Sequence, residues 1–514
     1  MTAAAAAPAQ RPTGDTRHPG GRRGMITLSI MLATIMQALD TTIANVALPH
    51  MQGSVSATQD QISWVLTSYI VAAAIMTPPT GFLAARFGRR RVFLVAVAGF
   101  TLASMLCGIA QTLAELVGYR LLQGVFGASL VPLSQSVLLD TYPREQHGSA
   151  MAMWGVGVMV GPILGPTLGG WLTEYYSWRW VFYINLPFGL LAFLGIAAFV
   201  TESQKRERRF DLFGFALLSL AIGALQLMLD RGEQQDWFSS AEIVTEAVVA
   251  GLALYLFVVH MLTAEHPFLD PKLFVDRNLV TGLLFIFIVG IVLLATMALL
   301  PPFLQNLMGY PVLTTGYVLA PRGIGTMVSM FLVGRLMGRI DPRLMIMTGL
   351  LLVALSLWEM SGFSTEVATG AIVRTGIVQG LGLGLIFVPL STLTFATLPP
   401  HLRTDATGLF SLMRNLGSSI GISVVVFYLA RQTQVHHSTL AEAVTPTNPL
   451  LRSPAWPDAW SIGDPAGLMA LDGEIGRQAQ TMAYLDDFRL MMLVVLAALL
   501  LLPLLRRPAQ QRPA

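Results

Sequence analysis

The chain has a single cysteine, Cys107, set in an apolar run, which excludes a disulfide framework and a cysteine-built metal centre. Charge is also scarce. Only 12% of residues are Asp, Glu, Lys or Arg, against the ~25% usual in soluble globular chains. No Gly-x-x-x-x-Gly-Lys-Ser/Thr loop is present to cradle nucleotide phosphates, so ATP-driven pumping by this chain is not expected. No metal-spaced His/Cys/Asp/Glu set falls within an apolar stretch, and neither a metal nor any other cofactor is expected. What abounds is hydrocarbon: 54% of residues are hydrophobic and the mean hydropathy is +0.63. A water-soluble fold cannot cover that much apolar surface. The chain therefore reads as an integral membrane protein, not a soluble enzyme, a nucleic-acid-binding domain or a secreted scaffold.

A helix needs ~20 apolar residues to cross a bilayer core. Fourteen stretches qualify, at roughly 25–48, 62–83, 92–112, 115–139, 149–172, 181–200, 211–230, 241–263, 280–300, 313–337, 344–362, 369–398, 405–430 and 488–505; they are numbered here as spans 1–14. Residues 1–24 read as a disordered tail, not a signal peptide, because no short apolar core with a cleavage site precedes span 1. With the N-terminus placed in the cytoplasm, cytoplasmic segments hold 22 lysines and arginines and outer segments hold 5. This asymmetry predicts both termini in the cytoplasm. It also accounts for the net charge of +3 without a nucleic-acid partner. The long polar segment 431–486, with His436 and His437, is expected outside, as a connector or a docking surface, partly helical over 465–484.

The chain repeats itself at an offset near 256. Gly81-x-Leu83-x-x-Arg86 recurs as Gly334-x-Leu336-x-x-Arg339, Gln123-Gly124 as Gln379-Gly380, and Pro132-Leu133-Ser134 as Pro389-Leu390-Ser391. Spans 1–6 thus map onto spans 9–14, with the last displaced by about fifty more residues and spans 7 and 8 left over. The expected domains are an N-terminal six-helix bundle (25–200), a central two-helix insertion with its loops (201–279), a C-terminal six-helix bundle (280–505) and a cytoplasmic tail (506–514). Two parallel six-helix repeats are the plan of many secondary transporters, with the substrate site between the halves.

Four motifs stand out. The turn Gly81-Phe-Leu-Ala-Ala-Arg86-Phe-Gly88-Arg-Arg-Arg91 follows span 2. Span 5 carries Gly157, Gly161, Pro162, Gly165, Pro166 and Gly169, whose four-residue glycine spacing puts a smooth groove on one helix face. Span 1 reads Leu39-Asp40-Thr41-Thr42-Ile43-Ala44-Asn45-Val46-Ala47-Leu48-Pro49, and span 6 opens with Trp178-Arg179-Trp180-Val181-Phe182-Tyr183-Ile184-Asn185-Leu186-Pro187-Phe188-Gly189. Together these resemble the major facilitator superfamily, and within it the fourteen-span drug:proton antiporters of the EmrB/QacA subfamily. The His436-His437 segment is most like the EmrB branch. The resemblance departs at Ala85, where the family carries an acid that helps latch the cytoplasmic gate, so that latch is not expected here. It implies a proton-driven multidrug exporter in the inner membrane, with a membrane-fusion adaptor and an outer-membrane channel as partners.

Ionisable groups inside the bilayer are costly and mark function. Asp40 reads as the only carboxylate deep in a span, and Arg120 of span 4 lies at similar depth. In the family, helices 1 and 4 line one cavity, and Arg120-x-x-Gln123-Gly124-x-x-Gly127 resembles its helix-4 motif associated with proton coupling. Burial favours the neutral acid and a nearby guanidinium favours the carboxylate. A carboxylate between those influences can load and release a proton; the bland alternative is a static pair fixing two helices. Arg322, Arg374 and Arg414 have no obvious acidic partner, and Glu359 reads as peripheral. An apolar cavity is expected, lined by Gln37, Asn45, Tyr69, Gln123, Met153, Trp154, Arg322, Met327 and Phe387. The substrates would be hydrophobic or amphipathic small molecules exchanged for protons across membrane lipid. The rivals are a dedicated transporter of one metabolite and a non-transporting receptor on the same fold.

Overall fold

The computed structural model describes residues 20–206, 209–445, 447–452 and 457–506. Residues 1–19 of the expected N-terminal tail, and 507–514 of the C-terminal one, lie outside the described residues. Among the described residues there is no β-sheet. Thirteen helices are long and apolar enough to cross a membrane, and a bent pair makes a fourteenth. They coincide with the fourteen expected spans. In order they are Gly20–Ser54, the pair Trp64–Met76 and Thr80–Phe87, Arg89–Ile109, Leu113–Thr141, His147–Tyr175, Trp180–Phe199, Leu212–Arg231, Ala241–Thr263, Arg277–Pro302, Val312–Leu336, Pro342–Met360, Thr369–Ala396, Arg403–Glu442 and Pro465–Ala498. The bend in span 2 is 55° and falls at Thr77-Pro78-Pro79, where two consecutive residues lack the backbone N–H that a helix needs. Helix begins at Gly20, so residues 20–24, expected in a disordered tail, belong to span 1.

The packing repeats as the sequence does. Span 1 lies along span 5, span 4 against spans 2 and 3, and span 6 against spans 1 and 3. Span 9 lies along span 13, span 12 against spans 10 and 11, and span 14 against spans 9 and 11. Spans 7 and 8 form a hairpin whose first helix leans on spans 2 and 13, at the seam between the halves. The halves themselves meet where span 5 touches spans 10 and 12, and where span 13 touches spans 2 and 4.

The segment 431–486 differs from a loop. Span 13 continues without a break to Glu442, 40 residues in all, or about 60 Å at 1.5 Å per residue, twice the ~30 Å bilayer core. The helix expected over 465–484 is present and continuous with span 14. His436 Nε2 lies 2.7 Å from Asp486 Oδ2, and His437 Nε2 lies 3.0 Å from Asp472 Oδ1. The two histidines thus pin one helical extension to the other, and only about residues 443–464 connect them. The sequence pattern hid this because helices that project into water carry no apolar run.

The glycine face of span 5 seats span 1. A Cβ on Gly161 would lie 2.4 Å from the Ala38 carbonyl carbon, and one on Gly165 would lie 2.0 Å from Thr42 Oγ1. Thr42 donates to the Gly161 carbonyl at 3.0 Å, a bond that only such close approach permits. Both glycines recur at the same offset as Gly417 and Gly421, which seat against span 9 at Phe287 and Ile291. Gly161→Ala should therefore lower stability by about 1–3 kcal/mol, the usual cost of overpacking. Gly251→Ala in span 8, where nothing lies within 4 Å, should be neutral or slightly stabilising. Thermal unfolding of the two purified variants in one detergent separates these outcomes.

Candidate functional site

Asp40 is wholly buried, and its three hydrogen-bond donors come from two neighbouring spans, 4 and 6. Arg120 Nη1 donates to Oδ2 at 2.7 Å, Gln123 Nε2 to Oδ1 at 2.8 Å and Asn185 Nδ2 to Oδ1 at 2.9 Å. Arg120 and Gln123 lie on span 4 three residues apart, on one helix face, and Arg120 also donates to Gln123 Oε1 at 2.7 Å. The guanidinium is 1% exposed. Its Nε–H reaches the Val65 carbonyl at 3.2 Å, and its plane stands 4.3 Å from the centre of the Tyr69 ring. Tyr69 accepts from Gln37 at 3.2 Å. Asn185 also donates to Ser104, which in turn donates to the Phe182 carbonyl, each at 2.9 Å. The network therefore draws on spans 1, 2, 3, 4 and 6 and lies entirely in the N-terminal half. In a dry interior such an ion pair holds only while its remaining lone pairs and protons are matched, and here they largely are.

Asn185 and Ser104 were not singled out as site residues from the sequence. Asn185 lies within the motif that opens span 6, where an amide just inside an apolar helix was the available signal. Ser104 gave none, because serine is common in membrane helices.

The remaining expected residues are dispersed. Trp154 of span 5 is buried and donates to Ser134 at 2.8 Å, and its ring stacks on Phe387 of span 12 at 5.9 Å, one half against the other. Arg322 is buried and donates to the Leu293 carbonyl at 3.3 Å, with no carboxylate in reach among the described residues. Met153 and Asn45 are exposed and Met327 is half-buried. None of these residues lines the cavity of about 1480 Å³ on the face that carries Arg86, Arg206 and Lys272, which opens instead between the Arg86 end of span 2, the start of span 7 and the end of span 8. Arg374, for which the sequence offered no acidic partner, has one: it reaches Glu359 at 3.1 Å, from the neighbouring span 11.

That basic face is also where the halves are tied. Asp140, at the end of span 4, pairs with Arg403 of span 13 at 2.7 Å and with Arg89 of span 3. Ser136 and Thr404 share a hydrogen bond at 2.8 Å, and Thr407 donates to the Pro132 carbonyl at 3.1 Å. Ala85 is no acid, but Asp140 of span 4 pairs with Arg89 and also joins that half to Arg403 of span 13. Gly81 lets span 13 approach: a Cβ there would lie 2.9 Å from the Asp405 Cα. Gly88 turns the chain at φ 94°, which favours glycine. Arg86 is exposed beside it.

This arrangement of helices and buried charge is that of a secondary transporter. The profile of the Major Facilitator Superfamily matches residues 30–422, and the chain belongs to that family, whose members are transporters rather than enzymes. It is 39% identical over 438 residues to "Multidrug export protein EmrB" of Haemophilus influenzae, covering 84% of this chain and 86% of that one. It is 38% identical to EmrB of Escherichia coli (84% and 85% covered) and 38% identical to "Fatty acid resistance protein FarB" of Neisseria gonorrhoeae (85% and 86%). In fold it is similar to the proton:xylose symporter XylE (TM-score 0.59, 14% identity, 93% of this chain and 95% of that one). It is also similar to the human organic anion transporter MFSD10 (0.58, 15%, 93% and 100%). The chain is thus a multi-pass membrane protein of the EmrB/QacA-like kind.

Removing Asn185 takes away one of two donors to Asp40 Oδ1 and the donor to Ser104. Asn185→Ala should therefore lower stability by about 1–3 kcal/mol, more than Ser104→Ala. Thermal unfolding of the purified variants checks the order.

Proposed function

We propose that this protein exports hydrophobic or amphipathic small molecules in exchange for protons, across an inner membrane, with its basic face and both termini in the cytoplasm. The arginine distribution supports the orientation, and the printed names of the similar proteins support the export role. The observation that carries the proton coupling is Asp40, a buried carboxylate held by donors on other helices. Its partners Arg120, Gln123 and Asn185 sit on spans 4 and 6, so any shift of span 1 against those spans unmakes several bonds at once. A proton on Asp40 removes its hold on Arg120, and loss of that proton restores it. Protonation and helix packing are in this way one equilibrium. The Asp140–Arg403 latch closes the cytoplasmic face in this conformation. The substrate cavity is assigned to the region between the halves, with Gln37, Asn45, Tyr69, Gln123, Met153, Trp154, Arg322, Met327 and Phe387 as its lining. The glycines of span 5, with Gly81, Arg86 and Gly88, serve packing and gating.

Asp40→Asn should abolish substrate-induced proton movement in inverted vesicles while leaving the protein inserted. Arg120→Lys should impair it strongly, because an ammonium cannot reproduce the guanidinium's fork. A pH-sensitive dye reads both. Undiminished proton movement in Asp40→Asn ends the assignment.

The paired extensions of spans 13 and 14 are the surface we assign to a membrane-fusion adaptor, and through it to an outer-membrane channel. Replacing residues 436–480 with a flexible linker should leave transport in vesicles intact and lower the drug resistance of whole Gram-negative cells, as a susceptibility panel would measure. Lost vesicle transport with adaptor binding retained would make the extensions part of the gate. A second reading, a dedicated exporter of one amphipathic acid, is favoured by Arg322, buried without a carboxylate partner among the described residues. The same panel, run with fatty acids beside neutral and cationic dyes, decides it by breadth.

A further inference from the structure

The C-terminal half holds a carboxylate that neither the latch nor the Asp40 cluster uses. Asp487 of span 14 is wholly buried, and neither of its oxygens has a hydrogen-bond partner among the described residues. It shares the buried face of its helix with Tyr484, Phe488 and Met491. Phe303, from the turn that ends span 9, packs on that face, its ring 5.4 Å from Tyr484 and 6.5 Å from Phe488. Span 13, which packs along span 14, carries Tyr428, Arg431, His436 and His437, and His437 is held by Asp472 at 3.0 Å. On span 14 the neighbouring Asp486 is engaged by His436 of span 13 at 2.7 Å and by Arg489 at 3.2 Å. Span 11 carries Glu359, already held by Arg374. Span 9 brings an aromatic ring. The titratable groups beside Asp487 are thus Tyr484 and Asp486, and no cation is paired with it among the described residues.

The internal repeat shows that this acid is not a copy of Asp40. At the offset of 256 Thr296 replaces Asp40, Gln379 matches Gln123 and Gly376 replaces Arg120. Thr296 and Gln379 still meet, at 3.3 Å, and Met491 takes the place of Asn185, its sulfur 3.7 Å from the Thr296 hydroxyl. Asp487 lies one helical turn before Met491, at the position of Val181 in the first half, which is apolar and fully buried. The second half has therefore lost the paired charge of the first and holds an unpaired acid one turn away.

An ionised carboxylate in that apolar surrounding is costly without a counter-charge, and burial of this kind favours the neutral acid. It lies about 25 Å along the helix from Leu504, away from the basic face. The His436–Asp486 pair, about a fifth exposed, brings solvent-reaching proton groups to the next residue. We propose that Asp487 is a second proton carrier of the transport cycle, neutral in this conformation and ionised when movement of span 14 against span 9 hydrates it. The role in transport rests on the proton-exchange reading above, whereas its protonation does not.

The test uses the full chain in lipid nanodiscs and two ligand-free measurements. Infrared difference spectra across a pH titration read the carbonyl stretch of a protonated carboxylic acid. The expected result is such a band in Asp40→Asn at neutral pH, lost in Asp40→Asn with Asp487→Asn, and displaced by Asp487→Glu. A spectrum unchanged by loss of Asp487 overturns the proposal. Electron-spin distances between labels at His50 and Thr314, in a Cys107→Ser background, then follow the ends of spans 1 and 10 that lie away from the basic face. The pH response should survive in Asp40→Asn and vanish in the double variant. A band that titrates without any change in that distance makes Asp487 a structural acid and also overturns it. Failure of the export reading appears separately, as absent substrate-induced proton movement in the wild type.

Discussion

The buried pair of Asp40 and Arg120 is the constraint around which the N-terminal half is built. Two opposite charges inside a dry helix bundle are tolerable only at contact distance and with their remaining hydrogen bonds satisfied. That requirement reaches outward. It demands Gln123 one turn along span 4, an amide at Asn185 on span 6, and a carbonyl at Val65 on span 2. It also demands that spans 1, 4 and 6 approach closely. The glycines of span 5 hold span 1 in register from its other side, without touching the charges themselves. An interior with this much depending on one carboxylate is well suited to let a single proton change its packing.

The two halves share a scaffold but not a chemistry. Gly124 lies so close to the Tyr69 carbonyl that a Cβ would fall 2.5 Å from it, and Gly380 lies in the same way against the Arg322 carbonyl, at 2.0 Å. The backbone contacts are repeated while the side chains have diverged. Tyr69, a ring beneath a guanidinium, answers to Arg322, a guanidinium with a lone carbonyl for company. Paired charge in one half answers to unpaired charge in the other.

The basic face carries a second consequence of divergence. The family's acid after span 2 is Ala85 here, yet the halves remain tied, because Asp140 receives both Arg89 and Arg403. A latch depends on charge at a place in space, and a neighbouring helix can supply it. Spans 7 and 8, inserted where the repeat is broken, lean on the same seam and leave a cavity against it.

The sequence alone determined the spans and their repeat, because each rests on something linear, a run of apolar residues or a recurring motif; it placed Asp40 and Arg120 at matched depth, and the family resemblance put their helices side by side. It also carried Asn185, inside the motif that opens span 6. The tertiary structure decided what depends on side chains from distant segments meeting. Asp140 joins the two halves because span 13 brings Arg403 to it. The helices beyond residue 430 exist through pairing with each other, His436 to Asp486, and not through any apolar run. Asp487, which the end of the apolar pattern placed just outside span 14, lies inside the bundle because the helix that carries it begins more than twenty residues earlier. Hydropathy measures how well a segment dissolves in lipid, and that is silent about which polar group its neighbours will enclose.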